Sequence, residues 1–110
     1  MSEKPNSPEF SESERELIEH LHAHGSEDTE TRRLLLAWTE KQETEANAIN
    51  TPRANIEVNL RRARLYHAAG FSGEAWEVLE SVRRQATQEG ETDLYEQAIS
   101  IMDEIDSESG

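Results

Sequence analysis

Three of the four histidines in this 110-residue chain alternate at positions 20, 22 and 24. On a helix only His20 and His24 share a face, one turn apart, with Glu16 a turn earlier. Two imidazoles at that spacing can chelate zinc, nickel or copper. The pattern stops there, because no third ligand is fixed by spacing and no His-Glu-x-x-His motif is present. Histidines in the last turn of a helix are also favoured by its dipole alone. His20 and His24 are therefore weak candidates, and no metal or other cofactor is expected. Catalysis has less support. There is no cysteine, hence no thiolate chemistry. A glycine-rich phosphate loop, a nucleophile elbow and a triad set are all missing. Carboxylates are abundant enough to pair by chance, and nothing marks a desolvated one. The sequence predicts a protein that is not an enzyme.

The charge is unevenly placed. Residues 1–50 hold 12 acids and 5 bases, residues 51–90 hold 5 and 6, and residues 91–110 hold 7 acids with no base. An arginine-bearing centre is thus flanked by two segments of −7 each within a total of −13. Such a surface repels phosphates, which excludes nucleic acid as the expected partner. No apolar run approaches the roughly 20 residues that span a bilayer, and the first ten residues lack a secretory pattern. Membrane partners are not expected, and the cytoplasm is the expected location. Leu, Ile, Val and Phe number 20, under the roughly one-fifth share at which high charge suggests disorder. They are clustered and periodic, however, which argues for one small folded domain.

Five helices are expected, at about 11–24, 28–49, 52–69, 73–88 and 92–105, with an acidic disordered tail over 1–10 and another tail over 106–110. Ser11 and Glu14 fit a capping box, and Gly25 closes the first helix. The second carries the apolar cluster Leu34-Leu35-Leu36-Ala37-Trp38. Thr51 as N-cap and Pro52 at the first helical position mark the third. Its apolar residues lie on two faces, Ile56, Leu60, Ala63 and His67 on one and Val58, Leu65 and Ala69 on the other, so it is expected between neighbours. The fourth repeats Ala75, Leu79, Val82 and Ala86, and the fifth Leu94, Ala98, Ile101 and Ile105. No segment alternates with period two, so the predicted class is all-α.

From Ile56 to about residue 89 the residues resemble one tetratricopeptide repeat, a 34-residue helix–turn–helix unit. Ala63 falls on its small-residue position, Tyr66 on its tyrosine, Gly70 on the turn glycine, Glu74-Ala75 on the pair opening the second helix, and Leu79 on a large apolar position. Asn59, Arg62 and Thr87 depart from the pattern. The resemblance implies a five-helix, right-handed bundle of antiparallel hairpins whose concave groove binds a peptide or partner helix. By position it assigns Glu57, Leu60, Arg61, Arg64 and His67 to that groove. Arg61 and Arg64 offer planar forks that grip carboxylates bidentately. The expected function is a small interaction or adaptor module, with another protein or peptide as partner and homodimerisation as a way to cover apolar edges. The alternative is an acidic inhibitor that mimics nucleic acid before a basic partner.

Overall fold

The computed structural model describes residues 10–109, with the Ser109 side chain left aside. The chain is all-α: α1 Glu12–His24, α2 Thr29–Ile49, α3 Pro52–Ala68, α4 Ser72–Glu89 and α5 Thr92–Ser109. No strand occurs among the described residues.

Local chemistry sets most helix ends. The Ser11 hydroxyl accepts from the Glu14 backbone N–H, and the Glu14 carboxylate accepts from that of Ser11, so both halves of a capping box are present. Asp28 caps α2 by accepting from Thr31 N at 3.1 Å. That contact, chiefly its backbone hydrogen bond, holds the Asp28 carboxyl below its ordinary range. Thr51 caps α3, with Pro52 in the first turn where its missing N–H costs nothing. Gly70, at φ +91°, lets the chain reverse into α4, and the Phe71 N–H bonds back to Tyr66 O at 2.8 Å.

α3 is the central strut. It packs against α1, α2, α4 and α5, while α1 also touches α2, and α4 touches α5. Its two apolar faces enter separate cores. Ile56, Leu60 and Ala63 join Ala75, Leu79, Val82 and Ala86 of α4 and Leu94, Ala98, Ile101, Met102 and Ile105 of α5. Leu65 and the following Ala69 face the other way, onto Leu17 and Leu21 of α1 and Trp38 of α2. Ala63 and Ala75 are both fully buried, and their small side chains let α3 and α4 approach closely. Tyr66 packs against the larger core, and its ring lies 6.4 Å from that of Phe71.

Two boundaries differ from expectation. α5 continues through Ser109, so residues 106–109 are helix rather than tail. The polar sequence there carries no apolar stripe, but the backbone ladder does not require one. Most of the 1–10 tail lies outside the described residues. Phe10 does not behave as tail, since it is half buried against the α1–α2 core.

Candidate functional site

A continuous concavity lies between α3 and α5, closed at one side by Phe10. One part has a volume of about 360 Å³ and is lined by Phe10, Glu57, Leu60, Arg61, Arg64, Leu94 and Gln97. The adjoining part, about 300 Å³, is lined by Phe10, Arg64, His67, Ala68, Gln97, Ser100, Ile101 and Glu104. All five groove residues of the sequence reading line one or other part. They follow a single stripe of α3 because they recur at three- and four-residue spacing.

Their environments differ. Leu60 is buried in the larger core and forms the floor of the concavity rather than a free contact. Glu57 is half exposed and is held by Arg53 Nε at 3.3 Å. Arg61 is also half exposed, with Nε 3.2 Å from Glu14 Oε2. Arg64 donates from Nη2 to Gln97 Oε1 at 3.0 Å across the groove. His67 Nε2 stands 3.6 Å from Glu104 Oε1 and 3.7 Å from Glu108 Oε2, while its Nδ1 is buried without a hydrogen-bond partner among the described residues. The concavity therefore runs from a carboxylate at Glu57, through two guanidiniums, to an imidazole facing two carboxylates.

Two polar centres that support this groove were not anticipated. Glu14 is 3% exposed. Its Oε1 accepts from Ser11 N at 2.9 Å, and its Oε2 accepts from Trp38 Nε1 at 2.8 Å beside Arg61. One carboxylate thus joins the start of α1, the middle of α2 and the groove stripe of α3. The Ser11-x-x-Glu14 spacing signals the cap, but nothing local signals Trp38, 24 positions away. The second centre is Arg53. It donates to Glu91 Oε1 at 2.7 Å and to both Asp93 oxygens at 2.9 and 2.6 Å. This fork ties the first turn of α3 to the first turn of α5 and sets the spacing of the groove walls at that end. Its hydrogen bonds pull the Asp93 carboxyl down to about 2 and raise Arg53 above its already high value.

The histidine run divides as its spacing suggests. His20 and His24 lie one turn apart, their rings tilted to each other with centroids 5.7 Å apart. No group of three or more His, Cys, Asp or Glu side chains placed to hold a metal occurs among the described residues. His22 points the other way, onto the α3–α4 turn, where Nδ1 lies 3.3 Å from Ala69 O and donates in its Nδ1-protonated tautomer. No helix of the described residues is long and apolar enough to cross a membrane.

Comparison of the chain with protein-family models, curated proteins and solved structures finds no match, so the site is read from its own geometry.

Proposed function

We propose that the chain is a small interaction module, built like stacked tetratricopeptide hairpins, that captures a peptide or partner helix in the α3–α5 groove. The observation that carries this reading is the groove itself. Residues chosen by repeat register on one helix, Glu57, Leu60, Arg61, Arg64 and His67, border two adjoining cavities whose far wall is α5. The pairing of helices supports it too. Each helix packs only on those one or two places away in sequence, as in arrays of stacked hairpins.

The lining defines the ligand chemistry. Arg61 and Arg64 present guanidiniums to the middle of the groove, where a carboxylate of the peptide is gripped. Gln97 and Ser100 supply neutral hydrogen-bonding groups, and Leu60 and Leu94 an apolar floor. Glu57 and Glu104 at the two ends disfavour an acidic residue there. The fitting peptide has one central acidic position with apolar neighbours.

The test uses partners captured from cell extract by the tagged full chain and identified by mass spectrometry. Arg64→Glu and the Arg61→Glu/Arg64→Glu pair should each cut capture at least tenfold, with helical circular dichroism unchanged for Arg64→Glu. Capture that survives both, yet disappears when Glu12 and Glu16 are neutralised, would overturn the groove reading in favour of charge mimicry by the acidic flanks.

A further inference from the structure

The corner between α2 and α3 leaves a large aliphatic side chain in solvent beside a small notch. Ile49, the last residue of α2, is 64% exposed, although it follows buried Ala46 by three residues on the same side of the helix. Asn50, in the left-handed region, then turns the chain into α3. That turn brings Ala54 and Val58 onto the same cavity as Ile49, a space of about 120 Å³. Its floor is Ala46 and Ala54, both buried, with half-buried Val58 and exposed Ile49 as walls. Both floor residues are alanines, whose methyls leave open the notch that longer side chains would fill. Gln42 and Glu45 of α2 and Glu57 and Arg61 of α3 form its rim.

Glu57 and Arg61 also line the α3–α5 concavity, so only a narrow ridge of α3 separates the two spaces. A peptide lying in the groove meets the notch once it crosses that ridge. We infer that the notch is a second pocket of the same site, and that it takes one aliphatic side chain, of the size of valine, leucine or isoleucine, from the peptide whose acidic residue Arg61 and Arg64 hold. The inference rests on the groove reading above. Three observations choose the occupant. The volume is smaller than the roughly 150 Å³ that encloses a benzene ring, which suits a branched aliphatic group and is short for an indole. The floor and walls offer only methyl and aliphatic groups, and Ile49 is the most exposed large apolar side chain among the described residues. The rim carries both signs of charge. An acidic side chain entering there meets Glu45 and Glu57, and a basic one meets Arg61, whereas an aliphatic one meets no like charge. Neighbouring side chains on a helix surface stand about 5–6 Å apart, against about 7 Å between same-side residues of an extended peptide. The aliphatic residue therefore lies one or two positions from the acid.

Peptide selection tests this. Binders are selected on the immobilised full chain from a phage-displayed library of random linear peptides, and the best is synthesised for fluorescence anisotropy. The selected sequences should pair an acidic residue with valine, leucine or isoleucine one or two positions away. Replacing that aliphatic residue of the peptide by alanine should weaken binding to the wild type at least about tenfold, the scale of methylenes lost from an apolar pocket. Ile49→Ser and Val58→Thr should each remove most of that difference, while the acidic residue of the peptide matters as much as before. Ile49 is exposed and Val58→Thr keeps the branched shape, so both variants should retain the helical circular dichroism of the wild type. Two results overturn the inference and leave the groove reading standing. One is an acidic consensus with no aliphatic preference beside it. The other is an aliphatic preference that both variants leave unchanged, which would seat the side chain on Leu60 and Leu94 instead. A library without binders, or binders that Arg64→Glu holds as tightly, removes the groove reading and this inference with it.

Discussion

Glu14→Ala should destabilise the chain far more than an ordinary helix substitution, because one carboxylate serves three donors. Removing it abolishes the reciprocal half of the α1 capping box, a loss of about 1 kcal/mol. It also strands the Trp38 indole N–H, whose side chain is 8% exposed, and an unpaired buried donor costs about 1–3 kcal/mol. The Arg61 contact adds little, since that guanidinium is half in solvent and such pairs contribute under about 1 kcal/mol. The total is about 2–4 kcal/mol, or a fall in Tm of about 8–16 °C for a domain of this size. Urea unfolding followed by circular dichroism measures it, and the slope m should be unchanged. Trp38→Phe keeps the ring and deletes the donor, so the Glu14→Ala/Trp38→Phe double-mutant cycle should show coupling of about 1 kcal/mol or more. A loss under about 1 kcal/mol for Glu14→Ala, or additive single effects, would refute the shared-carboxylate argument.

Two further outcomes follow from the clamp and the turn. Asp93 titrates at about 2 when folded, below its ordinary 3.8, chiefly because Arg53 hydrogen-bonds to it. The unfolded chain therefore binds the proton more readily, and this contribution to stability is present above about pH 4 and is lost as pH falls towards 2. Arg53→Gln should return Asp93 towards 3.8 in a carboxyl NMR titration and remove that part of the acid dependence; identical Asp93 titrations in both proteins would show the clamp is not formed in solution. Gly70→Ala and Gly73→Ala make the same chemical change three residues apart with opposite expected signs. Gly70 sits at φ +91°, so alanine there should cost about 1–2 kcal/mol. Gly73 lies inside α4 with open space around its Cβ position, so alanine should stabilise by about 0.5–1 kcal/mol. Equal effects would mean the turn is placed wrongly.

The helices were legible because their signals are local. Thr51-Pro52 caps α3 within one turn, and Ser11-x-x-Glu14 caps α1 in the same way. The placement of α3 between two cores was legible too, since its apolar residues fall on two stripes and only neighbours on both sides can bury them. The five residues picked by repeat register line the α3–α5 concavity, but their contacts were not readable. Arg61 could not be assigned to Glu14, nor Arg53 to Glu91 and Asp93, because those partners lie 38 or more positions away in the chain and are brought close only by packing. The end of α5 was misread for a related reason. Asp106 to Ser109 look like tail by composition, yet as helix they carry Glu108 round to His67.

The order of helix contacts has a consequence for how the molecule is assembled. Every helix touches only those one or two steps away in the chain, so no contact has to wait for distant ends to meet. Chains wired in this way have low contact order and fold fast, growing outward from whichever hairpin forms first. Here the hairpin of α3 and α4 is the natural seed, since α3 is the one helix shared by both cores. Such an architecture tolerates lengthening at its termini, because a new helix needs only the last exposed layer to dock on and leaves the middle unchanged.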